Sequence, residues 1–538
     1  MKNITGMKNT LYYGDNLDIM REHITDESVD LVYLDPPFNS ARDYNVLFKQ
    51  AKKDENQAQI TAFTDTWQWS KRHYEEFFDN PKNAKLFDLM ESLYRFLGQS
   101  EMMAYLVMMA PRLLELHRVL KPTGSLYLHC DPTASHYLKV LLDVIFGPTL
   151  FRSSITWKRY SAHNDAKWSY ANVTDTVFYY VKSKSTPFNV IRVPLDESYI
   201  KKFFTHIDEK GRRYACNNLQ SPNPRPNLTY EYKGYPPPPN GWKVSRNKME
   251  ELDRQGRLEF PNNPKGRIRL RYFLDDMEGQ PVNNLWDDIA PLASSHAERM
   301  GYPTQKPLAL LERIISASSN PGDVVFDPFC GCGTAVVAAE RLGRQWIGID
   351  VTFIAIDLMV DRLKGLQLVR DQHYDIKGDP YDAHSARKLF EQSPKQFEIW
   401  AVRKVDGVPQ PDKSGDKGVD GKVYFGDENS KLGWAVCQVK GGHLTPSVLR
   451  DFAHVIERDK AGMGFFICLD TPTKGMYREA EELGFFEAPS GRKIPKLQIR
   501  TIKELLEGKE FDYPRGWSLK SGGGKKLSRA GEQAELDL

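Results

Sequence analysis

The stretch from Asp323 to Asp350, DVVFDPFCGCGTAVVAAERLGRQWIGID, leaves few folds open to this chain. Its opening run Val324-Val325-Phe326 is short, apolar and rich in β-branched residues, the composition of a strand buried on both faces. The run ends in a turn carrying Gly331 and Gly333, where glycine adopts tight-turn backbone conformations without steric cost. Ala335 to Ala339 predict a helix that starts at Thr334 and stops at Gly343, and Trp346-Ile347-Gly348-Ile349 predicts a second strand closing on Asp350. Strand, glycine turn, helix and strand make half of a nucleotide-type βαβ unit. In such a unit the glycines let a ligand approach the backbone at the carboxyl end of the first strand, and an acid ending the second accepts hydrogen bonds from ribose hydroxyls. Val336 stands where the dinucleotide fingerprint G-x-G-x-x-G would continue, which disfavours a pyrophosphate cradle.

The same alternation begins near the start of the chain. Leu11-Tyr12-Tyr13 predicts a strand, Gly14-Asp15-Asn16 a turn, and a helix follows to about Glu22. The strand Asp30 to Leu34 is cut off by Asp35-Pro36-Pro37-Phe38, because proline continues neither a ladder nor a helix. A helix around Tyr105 to Leu120, a strand Ser125 to Asp131 and a helix Ala134 to Phe146 carry the pattern on, so the class is α/β. His129, inside that strand, reads as a satisfied interior histidine. The double proline fixes a stiff loop between an acid and an aromatic, and there is a chemistry that needs one. An exocyclic base amine is a poor nucleophile, since its lone pair is delocalised into the ring, so a catalyst must place acceptors on its N–H groups. Asp35 and the Pro36 carbonyl are such acceptors, and Phe38 suits stacking on a base swung out of a duplex.

Asp327-Pro328-Phe329-Cys330-Gly331-Cys332-Gly333-Thr334 resembles the D-P-F-x-G-x-G-T motif of S-adenosylmethionine (SAM) dependent amino-methyltransferases. Asp35-Pro36-Pro37-Phe38 resembles the D-P-P-Y/F motif of the beta-class DNA amino-methyltransferases, in which the catalytic motif precedes the SAM motif, as it does here. The resemblance covers most of residues 10 to 366. It implies a Rossmann-like SAM-dependent methyltransferase sheet with permuted motif order, acting on adenine N6 in double-stranded DNA. Cytosine-N4 methylation is the alternative, although that group more often carries S-P-P. Catalytic roles are implied for Asp35, Pro36 and Phe38, and cofactor contacts for Asp15, Lys306, Asp327, Pro328, Phe329, Gly331, Gly333, Thr334 and Asp350. Gly14-Asp15 resembles the segment that holds the cofactor adenine. Thr304-Gln305-Lys306-Pro307, before a helix Leu308 to Ser318, resembles the motif over its methionine end.

At 538 residues, 40% hydrophobic and 27% charged, the chain is expected to form two or three globular domains. The formal net charge is only +3, so nucleic-acid binding has to come from local basic surface. Candidates are Trp157-Lys158-Arg159 with His163 and Asp165, which read equally as a solvated loop, and Arg267, Arg269 and Arg271 on one strand face. The latter lie in a proline-punctuated interval, 193–299, that looks inserted into a methyltransferase domain of residues 1–370 and that the resemblance makes the target-recognition region. Six cysteines are too sparse for a disulfide framework, and no His or Cys cluster completes a metal site at Cys330 and Cys332. With no signal-peptide pattern and no membrane-length apolar run, a cytoplasmic protein without membrane contact is expected.

Residues 371–383 read as a linker, 384–518 as a second α/β domain, and 519–538 as a disordered tail. A helix holds Phe397-Glu398-Ile399-Trp400, a loop runs through Asp420, and the strand Trp434 to Lys440 puts Gln438 and Lys440 on one face. This arrangement resembles the PD-(D/E)xK pattern in its Mrr-like restriction-endonuclease variant, where glutamine replaces the middle acid. The resemblance implies Mg2+ held by Asp420, the Gln438 carbonyl oxygen and Glu398, with Lys440 stabilising the developing charge, and a glutamine in that set lowers metal affinity. The chain then reads as a modification and restriction enzyme in one, with a homodimer among its assembly states. Two other readings stand beside it: a C-terminal domain that only binds DNA, and a nucleotide-dependent oxidoreductase in which Asp35-Pro36-Pro37-Phe38 has no task.

Overall fold

The computed structural model describes residues 8–37, 84–98, 100–160, 170–263, 266–293, 296–300, 305–410, 418–426, 432–442, 444–488 and 491–514. Phe38, His163, Asp165, Thr304 and the expected tail lie outside them. Nine strands form the main sheet in the order Leu285–Trp286, Phe151–Lys158, Thr174–Val181, Leu120–Cys130, Val29–Leu34, Val324–Asp327, Gln345–Asp350, Asn9–Tyr13, Tyr374–Lys377. Thr174–Val181 runs antiparallel to both its neighbours and every other pairing is parallel. The central strands are buried along their length, as the apolar runs predict, and pack on helices Glu101–Val119 and Pro132–Phe146 through Leu106, Leu113, Leu138 and Leu142.

Tyr374–Lys377 pairs in parallel register with Asn9–Tyr13, so the interval expected as a linker supplies the edge strand of the sheet. Its four residues are too few and too polar to announce a strand, and the pairing is non-local.

Residues 189–283 form a separate compact unit, while 284–299, expected inside the insertion, belong with the rest of the chain. Leu285–Trp286 pairs there with Phe151–Lys158. The unit has its own core of Leu219, Tyr232, Trp242, Met249, Leu252, Leu258 and Ile268 beside a four-stranded antiparallel sheet.

The C-terminal region is a five-stranded sheet in the order Val408–Pro409, Gly421–Gly426, Leu432–Lys440, Met463–Cys468, Leu497–Thr501. The first two pairings are antiparallel and the last two parallel. Alternation along its strands serves two layers. Cys437, Val439, Phe465 and Ile467 pack on Phe397, Ala401 and Val402 of helix Pro394–Lys404, while Val436, Phe466 and Cys468 pack on Leu449, Phe452 and Ile456 of helix Pro446–Arg458. Phe353 and Tyr13 of the main sheet region join the first layer, their rings stacked with centroids 3.7 Å apart. Among the described residues no helix is long and apolar enough to cross a membrane.

Candidate active site

Two Asp-Pro steps end neighbouring strands at the same edge. Val29–Leu34 and Val324–Asp327 are parallel partners, with Leu31 opposite Val325 and Val32 opposite Phe326. Asp35-Pro36-Pro37 leaves the first and Asp327-Pro328-Phe329 the second. Proline has no N–H to give a ladder, so pairing stops at both strand ends and the loops stand side by side.

The glycine turn is built by contacts that its spacing does not reveal. Gly331 and Gly333 hold φ of 50° and 76°, and a Cβ on Gly333 would stand 2.4 Å from Met359 Cγ. Asp350 Oδ2 accepts the Gly331 N–H at 2.9 Å, and Oδ1 accepts the N–H and hydroxyl of Thr352, each at 2.8 Å. Burial raises the Asp350 carboxyl above its ordinary value against these bonds. Arg362 Nη1 donates to the Cys332 carbonyl at 2.9 Å and to Thr334 Oγ1 at 3.2 Å, tying the start of helix Thr334–Arg341 to the helix after Asp350. Asp350 therefore orders the turn as well as standing at its rim.

Asp15, expected at the cofactor, caps helix Asn16–His23 through the Leu17 N–H and takes both carboxylate contacts from Arg112, at 2.9 and 2.7 Å. Arg112 Nε also donates to Asn16 Oδ1 at 2.6 Å, and Asn16 Nδ2 donates to the Pro328 carbonyl at 2.8 Å. Asn16 and Arg112 thus fasten the first strand's exit to the glycine turn. Neither carries a local sequence signal, since an asparagine in a first helical turn and an arginine in a helix have many uses.

Asp35 sits among charges. The Lys306 ammonium is ion-paired to its Oδ2, while Oδ1 is buried with no hydrogen-bond partner among the described residues. Lys306 precedes helix Leu308–Ser318, whose Leu308 N–H goes to Glu298 Oε2 at 3.1 Å. The side chain expected over the cofactor's methionine end therefore meets the proline-loop acid. Asp327 is 4% exposed; burial pushes its carboxyl well up, the Phe329 N–H opposes this, and the Asp35 and Asp350 charges add to it. Phe329 packs against the main core.

Other candidates fare differently. Trp157 is 2% exposed with Nε1 on the Ile289 carbonyl, so it offers no face to a base. Arg159 is paired with buried Asp175. Within the 189–283 unit, Arg271 is bound to Glu259 and Arg267 to Gln220, and Arg269 is exposed. The face expected to carry three arginines is thus partly neutralised, because Glu259 lies on the adjacent strand.

In the C-terminal sheet the structure brings Asp420 and Gln438 together: Gly421 is opposite Cys437, and Asp420 Oδ2 accepts the Val439 N–H at 2.6 Å. Gln438 Oε1 is buried without a hydrogen-bond partner among the described residues, and its Nε2 lies 3.1 Å from where a Cβ on Gly418 would stand. Glu398 is ion-paired to Lys395 at 3.3 Å. Among the described residues no group of three His, Cys, Asp or Glu is gathered to hold a metal ion. One carboxylate and one unpaired amide oxygen fit a divalent cation only in part, the remaining ligands having to come from phosphate and water.

Fold and site together define the class: an open, mainly parallel α/β sheet with a nucleotide-type glycine turn and an Asp-Pro-Pro loop at its carboxyl edge. The family model described as DNA methylase, of the N6/N4 type, matches residues 29–359. The chain belongs to that N6/N4 DNA methylase family. It is 33% identical over 261 residues to the type II methyltransferase M.EcaI of Enterobacter cloacae, covering 48% of this chain and 57% of that one. It is 26% identical over 355 residues to the DNA adenine methyltransferase YhdJ of Escherichia coli K12, covering 66% and 82%. The chain spans 50% to 64% of the length of several curated relatives it matches. The solved PvuII DNA methyltransferase (cytosine-N4-specific) aligns at 15% identity over 66% of this chain and 89% of that one, with a TM-score of 0.32, too low a likeness for anything to be transferred from it.

Proposed function

We propose that the chain transfers a methyl group from SAM to the N6 amine of adenine in double-stranded DNA. The observation that carries this reading is Asp35, ending a strand beside the glycine turn with Oδ1 buried and unpaired. The residues fit the cofactor's chemistry: Asp350, at a strand end, would take ribose hydroxyls, and Asp35 Oδ1 is an acceptor with no hydrogen-bond partner among the described residues. When bound, SAM supplies an electrophilic methyl. Asp35 Oδ1 and the Pro36 carbonyl accept the two N–H bonds of an extruded amine, which keeps electron density on nitrogen and aims its lone pair. The C–N bond forms as the C–S bond breaks, and the amine proton leaves to solvent. Adenine is preferred to cytosine because the loop is acidic, and one relative is named as an adenine methyltransferase. Incubation of DNA with labelled SAM, followed by mass spectrometry of its nucleosides, tests the reading: N6-methyladenine supports it, N4-methylcytosine replaces it, and no label in DNA overturns it.

A second activity is favoured by one observation, the unpaired Gln438 Oε1 beside Asp420. In this reading the C-terminal sheet is a Mg2+-dependent nuclease. Asp420 and Gln438 would hold the cation, which would supply Lewis-acid polarisation of a phosphodiester, and Lys440 on the same strand would neutralise developing charge. Plasmid cleavage that requires Mg2+ and is lost in Lys440→Ala supports it. Methyl transfer without cleavage leaves a DNA-binding module in its place.

A further inference from the structure

The Asn16 side chain ties together two strand ends that are not neighbours. Asn9–Tyr13 and Val324–Asp327 stand on either side of Gln345–Asp350 in the main sheet. Their carboxyl ends are therefore two strand spacings, roughly 10 Å, apart. Asn16 opens the helix that follows the first of these strands, and its Nδ2 donates at 2.8 Å to the carbonyl of Pro328, which follows the second. The three strand ends gathered in this way carry Asp15, Asp350 and the glycine turn.

The remaining bonds among these ends run through the middle strand. The Gly14 N–H goes to the Asp350 carbonyl and the Cys330 N–H to the Ile349 carbonyl, each at 3.0 Å, and the Gly331 N–H goes to Asp350 Oδ2. Each joins Gln345–Asp350 to one neighbour, whereas the Asn16 amide spans the outer pair directly. That amide has one orientation. Arg112 has donors and no acceptor, and its Nε donates to Asn16 Oδ1 at 2.6 Å, so Nδ2 is the group facing the Pro328 carbonyl. Arg112 in turn donates from Nη1 to the Met108 carbonyl at 2.8 Å and from Nη2 to both Asp15 oxygens. Asn16 and Arg112 are 7% and 4% exposed, so water offers these groups no substitute partner. A buried strut with every bond made fixes a spacing that apolar packing leaves adjustable.

We infer that Asn16 is a positioning residue for SAM: oriented by Arg112, it sets the spacing between the Gly14-Asp15 turn and the Asp327-Pro328-Phe329 turn, and through it the fit of the cofactor to both. The role lies in cofactor affinity and not in the transfer step. The inference rests on the SAM-binding part of the methyltransferase reading, and it assigns work to an asparagine that has no signal in the local sequence.

The test uses the full chain with Asn16→Asp and Asn16→Ala, each confirmed as folded by circular dichroism. Calorimetry gives dissociation constants for SAM and S-adenosylhomocysteine at about pH 8, where the new carboxyl is ionised, and kcat is measured at saturating SAM. Asn16→Asp keeps the size of the side chain and its bond from Arg112, but turns an oxygen toward the Pro328 carbonyl. Asn16→Ala removes the strut outright. Both variants are expected to bind SAM about tenfold more weakly or worse, with kcat at saturating SAM within about threefold of wild type. S-adenosylhomocysteine is expected to weaken by the same factor, because the strut acts on the parts that the two cofactors share. Dissociation constants within about threefold of wild type overturn the inference. A fall in kcat at saturating SAM as large as the fall in affinity also overturns it, since a general loosening of the fold moves both. Should one variant fail to fold, the other decides. Wild-type protein that binds SAM but methylates no DNA sinks the transfer reading and leaves this comparison intact, while wild-type protein that binds no SAM overturns the cofactor assignment before any variant is made.

Discussion

The Lys306 ammonium and the Asp35 carboxylate, 271 positions apart in the chain, form an ion pair with side chains only 11% and 14% exposed. Removing one partner of such a pair strands the other in a poorly solvated place. Lys306→Met is expected to lose about 2–4 kcal/mol of stability, most of it regained in Lys306→Met with Asp35→Asn. Denaturant melts of the two singles and the double measure this coupling; additive losses would mean the pair is not energetically linked. Asp35→Ala is expected to lower kcat for methyl transfer by roughly 100-fold or more while leaving the SAM dissociation constant within about threefold.

Gly333 meets two constraints at once, a φ of 76° and a Met359 side chain where its Cβ would be. Gly333→Ala should cost about 2–4 kcal/mol, from left-handed strain and overpacking together. Adding Met359→Ala relieves only the second part. Thermal melts and SAM titration calorimetry should therefore show partial recovery of stability in the double variant, and full recovery would remove the argument from φ.

The C-terminal sheet and the main sheet share a core at Phe353, which is 4% exposed against the first layer, with Tyr13 stacked on it. Asp357 to Arg403 and Trp400 Nε1 to Asp379 bridge the same junction. A chain ended at Tyr381 uncovers both rings, and burying one aromatic is worth about 1.5–3 kcal/mol. We expect a lower melting temperature and weaker SAM binding, since Phe353 follows Asp350 and Thr352 closely. An unchanged melting temperature would show the two sheets to be independent.

His117 stands edge-on to Phe146, and burial with the nearby Lys182 charge pushes its imidazole down to about 4. Below its ordinary value the unfolded chain binds a proton that the folded chain refuses, so stability present above pH 6.5 is lost as the pH falls toward 4. The loss should be roughly 1–2 kcal/mol after screening. Urea midpoints of wild type and His117→Phe across this window check it, with a flatter profile expected for the variant.

Helix Leu308–Ser318 has the bounds the sequence predicts, and helix Thr334–Arg341 and strand Gln345–Asp350 differ from theirs by a residue or two, because apolar period and glycine or proline stops are local properties. The Asp-Pro exits were legible for the same reason. Glu259 against Arg271 and the edge strand Tyr374–Lys377 were not, since each depends on which segment lies alongside.

The chain's own sequence therefore determined the α/β alternation, the glycine turn and the acidic proline loop, features written in neighbouring residues through backbone sterics and hydrophobic period. Only the tertiary structure decided that Lys306 meets Asp35, that Asn16 and Arg112 fasten the turn, and that Tyr33, His129 and Asp175 line up across three strands. Those contacts depend on strand order, which brings distant segments to one edge of the sheet and leaves no local trace in any of them.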